Sequence, residues 1–419
     1  MRRCTIIGIS DSREQWFAPD VMKAIEAGRV FSGGKRHREI MQPYLPVTLE
    51  SSSSGEVEER GCWIDITVPL SGVFAQYEKH DEVVIFASGD PLFYGFAATV
   101  QRECPDCQLT VYPSFHSLQM LAHRMLLPYH DMHVVSLTGR PWHKFDEALI
   151  RGEALVGILT DRIHTPRAIC QRMLEYGYDN YRMTVGENLG NEVKERVVTI
   201  DKLQTDMVPE FAVPNCVILQ RTSQRHRFFG IPESEFALLD GRAKMITKMP
   251  VRLLSLSMLD LSNRQSLWDV GFCTGSVSIE AKLQFPHLHV TSFEIREEGE
   301  QLMAENSRRF GAPGIDAIIG DFLSADLSAL PRPDSIFIGG HGGRLREMVT
   351  RLHEVMLPGA CIVFNSVSEA SQQLFRESIE AVGMVLTQQI RIAVDEHNAI
   401  LCMKAEKWIR GSDPMIHNP

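Results

Sequence analysis

The strand-like run Leu267-Trp268-Asp269-Val270 passes directly into Gly271-Phe272-Cys273-Thr274-Gly275-Ser276 and then into the helical pattern Val277–Phe285. Few folds accept such a junction. Glycines let the backbone turn sharply and approach a ligand, and the free amides of the following helix face the same point. In a doubly wound α/β sheet this is where a nucleotide is held. Two further acids extend the pattern. Glu294 ends the next strand, 25 positions after Asp269, where a carboxylate accepts both hydroxyls of a ribose. Asp321, with Phe322 after it, follows Gly320 at the end of the third strand, where an adenine would lie.

The glycine spacing discriminates between cofactors. A dinucleotide fingerprint needs glycines at its first, third and sixth positions, and here the third and sixth are Cys273 and Ser276. Glycines at the first and fifth positions, with an acid two residues before, suit the amino-acid end of S-adenosylmethionine. Gly271, Phe272, Cys273, Thr274, Gly275, Glu294, Asp321 and Phe322 are therefore the expected cofactor residues. A nicotinamide oxidoreductase using the Gly271 loop and a plain turn that binds nothing are the alternatives. After the fourth strand comes Gly339-Gly340-His341-Gly342-Gly343, without the polar-Pro-Pro-aromatic motif of nucleobase amino methylases. Gly340 and Gly342 leave room for a large, flat acceptor. His341 is a candidate general base or hydrogen-bond donor, and Arg344 and Arg346 are candidates for pairing with carboxylates.

The rest of the chain is consistent with an α/β protein of several domains. At 419 residues it exceeds one ordinary core. Strands are expected at Thr5–Ile9, Val83–Ala87, Gln108–Tyr112, His133–Ser136, Leu155–Leu159, Arg182–Glu187 and Val217–Gln220. Helices are expected at Val21–Ala27, Phe93–Val100, Ser117–Leu126 and Pro166–Tyr176. The apolar pattern then lapses, and residues 223–240 read as a linker between 1–222 and 241–419. In the second half strands are expected at Ser266–Val270, Val290–Glu294, Asp316–Ile319, Ser335–Ile338, Cys361–Asn365 and Ala399–Lys404, with helices at Val277–Phe285, Gly299–Phe310, Arg344–Val355 and Glu369–Val382. Ser51–Ser54 with Gly55 reads as a loop tip. A formal charge of -10 argues against nucleic acid as a partner. No apolar run is long enough to span a bilayer, and the nine cysteines are scattered through apolar stretches, so a reduced, cytoplasmic setting is expected.

In the first half, Ser88-Gly89-Asp90-Pro91-Leu92-Phe93-Tyr94-Gly95 follows a strand. Pro91 is expected in the first turn of a helix with Asp90 as its cap. Ser32-Gly33-Gly34-Lys35-Arg36 fails the register of a phosphate loop. Together with Thr138-Gly139-Arg140-Pro141, Thr160-Asp161, Thr165-Pro166 and Val185–Gly190, these runs resemble the C5-methylating tetrapyrrole methylases of the cobalamin pathway. The second half, with Ile246-Thr247-Lys248, the Leu267–Gly275 run and the Phe337–Gly343 run, resembles their C15-methylating, decarboxylating partners. The whole chain resembles the precorrin-6Y C5,15-methyltransferase family. That resemblance implies a tetrapyrrole-methylase fold of two α/β subdomains followed by a Rossmann-like class I methyltransferase fold. It implies S-adenosylmethionine at Gly89, Asp90, Pro91 and Leu92 as well as at Thr247 and the Gly271 loop. It implies a corrin precursor whose carboxylates meet Lys35, Arg36, Arg140 and Arg344, no metal ligand set, and a homo-oligomer. The chain departs from the family at Gly8-Ile9-Ser10-Asp11-Ser12, where a Gly-x-Gly-Pro-Gly loop is usual, and at His397-Asn398, where a histidine pair is usual. The first departure also allows a methylase-fold half that binds without catalysing.

Overall fold

Apolar runs of four to seven residues become strands, and the longer amphipathic segments between them become helices. The computed structural model describes residues 2–46, 61–240, 245–394 and 399–408. Ser51–Gly55 and His397-Asn398, singled out above, lie outside the described residues. The chain divides into two compact units: Met1–Arg140, Ala154–Gln171 and Tyr181–Thr222 form the first, and Pro141–Glu153, Arg172–Asn180 and Ser223–Pro419 the second.

In the first unit, β1 (Arg3–Ile9), β2 (Val30–Gly33), β3 (Cys62–Asp65), β4 (Glu82–Ser88) and β5 (Gln108–Tyr112) form a wholly parallel sheet in the order β3-β2-β4-β1-β5. The helices of this region are α1 (Pro19–Ala27), α2 (Lys35–Met41), α3 (Leu70–Tyr77) and α4 (Phe96–Glu103). Parallel strands covered on both faces are apolar throughout, and the alternation of β1 serves both sides. Cys4 and Ile6 join a core with Val73, Phe74 and Tyr77 of α3, while Ile7 and Ile9 join Val21 and Ile25 of α1.

After α5 (Ser117–Arg124), a second sheet follows from β6 (His133–Ser136), β7 (Leu155–Leu159), β8 (Tyr181–Glu187), β9 (Arg196–Ile200) and β10 (Asn215–Arg221). Its order is β6-β7-β10-β8-β9, and only the β6/β7 pair is parallel. Two further helices, α6 (His143–Arg151) and α7 (Pro166–Glu175), lie between these strands in sequence, and α6 is grouped with the second unit.

The main part of the second unit contains α8 (Met249–Met258) and is built on seven strands: β11 (Ser266–Val270), β12 (His289–Glu294), β13 (Ile315–Ile319), β14 (Ser335–Ile338), β15 (Cys361–Ser366), β16 (Val385–Ile392) and β17 (Ile400–Glu406). The order is β13-β12-β11-β14-β15-β17-β16; the first five strands are parallel, and β17 runs antiparallel between β15 and β16. The remaining helices are α9 (Ser276–Gln284), α10 (Glu298–Phe310), α11 (Leu345–Val355) and α12 (Glu369–Ala381). The chain leaves β11 in one direction and returns at β14 on its other side. A crevice therefore opens at the carboxyl ends of these two neighbours, as in other doubly wound sheets. Among the described residues no helix is long and apolar enough to cross a membrane.

Two expectations need correcting. The helix expected from Phe93, with Pro91 in its first turn, begins at Phe96 behind Gly95. Asp90 instead closes a turn, its Oδ1 accepting from the Leu92 amide at 2.9 Å. Residues 223–240, read as a linker from their polar start, pack on the second unit. Ile231 and Phe236 are buried, Arg227 donates to the Leu283 carbonyl, and the Ala237 amide donates to Asn306 Oδ1 at 2.8 Å. The pin is Arg252 on α8, buried with Glu280 of α9 at 3.3 Å. Glu280 accepts from the Gly230 and Ile231 amides at 2.8 and 3.1 Å, and Arg252 donates to the carbonyls of Ile231 and Thr247 and lies over the Phe236 ring.

Candidate active site

The crevice of the second unit starts from a packing constraint. Gly271, directly after β11, has φ +82°, and a Cβ there would lie 2.7 Å from the Gly340 nitrogen and 2.9 Å from its oxygen. The turns after β11 and β14 thus cross backbone to backbone. Cys273 holds a left-handed φ of +53°, which turns its amide onto Glu294 Oε2 at 2.9 Å. Glu294, buried at the end of β12, also accepts at Oε1 from the Arg296 amide (3.1 Å) and guanidinium (2.9 Å). Beneath the turn, Asp269 is buried and accepts from Ser278 Oγ at 2.5 Å, with Ser292 Oγ 2.8 Å from that hydroxyl. Burial pushes the Asp269 carboxyl up to about 7, and its Oδ1 has no partner among the described residues.

After β13, Asp321 accepts both arms of the Arg344 guanidinium at 2.8 Å and the Leu323 amide at 3.0 Å. The hydrogen bonds from Arg344 hold the Asp321 carboxyl below the usual carboxylate range. His341 Nδ1 accepts the Gly343 amide at 3.1 Å, which leaves the ring proton on Nε2. The ring stands edge-on to Phe364, and partial burial lowers its pKa. It is a neutral donor, with the nitrogen that could act as a base already occupied.

These groups line one cavity of about 850 Å³. Gly271, Phe272, Cys273, Glu294, Asp321, Phe322, Thr247, Gly340, His341, Gly342 and Arg344 all contribute to its wall. Thr274 is buried, and Gly275 is the N-cap of α9, so these two shape the turn from behind. A Cβ at Gly340, Gly342 or Gly343 would meet nothing within 4 Å, whereas Gly339 is pressed against the Gly271 carbonyl. Three of the four glycines in this loop therefore give open space. The sequence reading missed Arg296 and Asn365, which also line the cavity. Arg296 could have been found as the cation two residues beyond Glu294. Asn365, held by Ser255 at 2.7 Å across 110 residues, had no local signal.

In the first unit, β1 and β4 end side by side. A Cβ at Gly8 would lie 2.0 Å from the Gly89 oxygen. The glycine-poor loop that follows β1 is fastened from within, because Gln15 accepts from the Ser10 amide and donates to the Ser12 carbonyl. Asp90 lines an adjacent cavity of about 1220 Å³, along with Gly8, Ser10, Trp16, Tyr112 and Gln119. Gly89, Pro91 and Leu92 form the turn that presents Asp90. Arg140 lies 5.3 Å from the Tyr94 ring, beyond this turn, and donates to Ser136 Oγ at 2.8 Å. The Gly139 amide donates to Asp161 at 2.9 Å, so the two Thr-containing motifs also meet. Lys35 is exposed at the start of α2, and Arg36 pairs with Asp11 at 3.4 Å and donates to Ser88 at 2.9 Å.

His37, beside them, is part-buried and reaches Ser88 at 2.9 Å; its desolvation lowers the pKa to about 4. In the unfolded chain it would titrate near about 6.5. Above that pH neither state binds the proton. As pH falls from about 6.5 towards about 4 only the unfolded state does, so stability is lost by about 3 kcal/mol in total. Urea unfolding of the first unit should therefore show a smaller loss for His37→Gln than for wild type between neutral pH and about 4.5. Equal losses would remove His37 as a cause.

Residues 3–204 match the family of tetrapyrrole (corrin/porphyrin) methylases, and residues 240–408 match the precorrin methyltransferase domain. A precorrin-6Y C5,15-methyltransferase (decarboxylating) from Sinorhizobium is 28% identical over 87% of this chain and 84% of its own. A solved precorrin-6Y C5,15-methyltransferase from Geobacter metallireducens is 30% identical, covering 43% of this chain and 97% of that one, with a TM-score of 0.39. The chain belongs to the precorrin-6Y C5,15-methyltransferase family. A Salmonella typhimurium cobalt-precorrin-6B C15-methyltransferase (decarboxylating) is 39% identical over 31% of this chain and 66% of its own. As a precorrin-6Y C5,15-methyltransferase relative, the chain is a C-methyltransferase.

Proposed function

We propose that the second unit binds S-adenosylmethionine in the Gly271 crevice and methylates C15 of a precorrin with loss of carbon dioxide from an acetate arm, while the first unit methylates C5. The observation that carries this reading is that Glu294 and Asp321, at the ends of adjacent strands, share one cavity with the open Gly340–Gly343 loop. The residues suit the cofactor. Glu294 offers a carboxylate to a ribose diol, and Asp321 and the Phe322 amide offer an acceptor and a donor to an adenine edge. S-adenosylmethionine supplies an already activated methyl group when bound.

The chain's own work is then mainly alignment, which converts a bimolecular encounter into an oriented one. The walls of the crevice would hold a macrocycle carbon in line with that methyl group. The bond to the departing carboxylate breaks with its electron pair passing into the ring. His341, with its proton on Nε2, donates to an oxygen of the substrate and takes no proton from it. The first activity is assigned to residues 1–222 and the second to 241–419. In the same reading the enzyme is cytoplasmic and homo-oligomeric, and takes no nucleic acid.

The direct test supplies purified protein with methyl-labelled S-adenosylmethionine and precorrin-6Y. Two labelled methyls and one carbon dioxide per substrate are expected; methylation without gas release would sink the assignment of the second unit. Glu294→Gln should weaken S-adenosylhomocysteine binding to the second unit by roughly 10- to 100-fold, the worth of one or two charge-assisted hydrogen bonds. Calorimetry reads this directly, and unchanged affinity would remove Glu294 from the site.

A further inference from the structure

Arg344 stands where the two ligands of this site meet. Both its guanidinium and the Asp321 carboxylate line the cavity, and they are joined through two 2.8 Å hydrogen bonds. Asp321 is the carboxylate assigned above to the adenine edge. It has little left to give: Oδ1 accepts from Leu323 and Arg344, and Oδ2 from the second arm of Arg344. An adenine donor arriving at Asp321 takes the one lone pair left, on Oδ2, and so shares that oxygen with the second arm of Arg344 and weakens its hydrogen bond.

The pair is built to open. Its side chains are 37% and 33% exposed, and ion pairs in such surroundings are weakly held. Arg344 follows Gly342 and Gly343, at φ +52° and +85°, with open space where side chains would stand, so the chain before it can swing. A guanidinium fork fits one carboxylate as well as another, and the precorrin is a polycarboxylate.

We propose that Arg344 binds a carboxylate of the substrate and that Asp321 withholds it until the cofactor arrives, so that cofactor binding delivers the arginine to the substrate. The carboxylate it takes is one that the product keeps. A cation on the departing acetate would stabilise the ground state more than the transition state, in which that charge is being lost, and would slow the reaction.

The inference rests on S-adenosylmethionine being the cofactor of this unit, and the experiment separates the two. Calorimetry measures precorrin-6Y binding to the full chain with and without S-adenosylhomocysteine. In wild type the cofactor product should tighten precorrin binding by ~5-fold or more, and precorrin should tighten its binding by the same factor. Arg344→Gln should lose this coupling and raise the KM for precorrin by roughly tenfold. Asp321→Asn, whose amide holds the arginine less well, should bind precorrin without cofactor as tightly as wild type does with it. Coupling that survives in Arg344→Gln, or an unchanged KM, overturns the proposal. Failure of wild type to bind S-adenosylhomocysteine in the second unit overturns the cofactor reading instead.

Discussion

Gly271→Val is expected to stop carbon dioxide release almost completely, by about two orders of magnitude or more. Two penalties combine. A left-handed φ of +82° is costly for any residue with a Cβ, by about 1–2 kcal/mol. The Cβ would also meet the Gly340 backbone nitrogen at 2.7 Å, and backbone cannot rotate aside as a side-chain tip can. The turns after β11 and β14 must separate, and a misplacement of about 1 Å in a methyl-transfer geometry costs roughly 100-fold in rate. Gly383→Ala is the matched control. Gly383 has φ +73° with nothing within 4 Å of a new Cβ, so that variant carries the strain without the clash. It should lose about 1 kcal/mol of stability and keep its activity. Rates of gas release from the two variants at saturating substrate decide the matter. Comparable activity in both would mean that the crossing of the two turns has no part in catalysis.

Arg252→Met should be the most destabilising single change in the second unit. Arg252 and Glu280 are both fully buried, and removing one partner strands the other's charge, at a cost of about 3–5 kcal/mol. For a unit of this size that lowers the melting temperature by about 10 °C. Replacing both, as Arg252→Met with Glu280→Leu, removes the stranded charge. It recovers only part of the loss, because the Gly230 and Ile231 amides then lack their acceptor. Calorimetric melting of the single and double variants checks the order. A single variant within about 1 kcal/mol of wild type would show that water reaches the pair. The same change should loosen Thr247, whose carbonyl Arg252 holds at 2.9 Å and which lines the same cavity as Gly271.

That Gly271, Glu294 and Asp321 would line one cavity was legible because they sit at consecutive strand ends. Gly271, Glu294 and Asp321 are each fixed by a local pattern, and the parallel register brings those ends together. What escaped came from packing across long separations. Arg252 on an apolar helix gave no sign that it would pin Ile231 and Thr247, so a packed segment read as a linker. In the first half the four-residue strand β2, with glycine at its end and after it, its neighbour β3 and the helix α2 were not expected. The edge strand β16 carries polar residues over most of its length and a register shift at Leu386/Gln388, so it lacked the apolar run by which its neighbours β15 and β17 were found. The turn at Asp90 misled for a different reason. Asp followed by Pro is a sound helix start, but Tyr94, at φ +52°, breaks the backbone before the helix begins at Phe96.

The position of β17 between β15 and β16 bears on how the second unit comes into being. Its sheet is completed by the strand that is translated last, and β16, made earlier, has only that late strand for a partner. While residues 400–406 are still inside the ribosome, β15 presents an open edge and β16 stands unpaired. The first unit's sheets contain no residue beyond 221 and can close during this interval. A nascent chain is therefore half folded and half waiting for much of its synthesis. A chain stopped before residue 400 would lose two strands, not one, and would expose the open edge of β15, a surface on which chains aggregate.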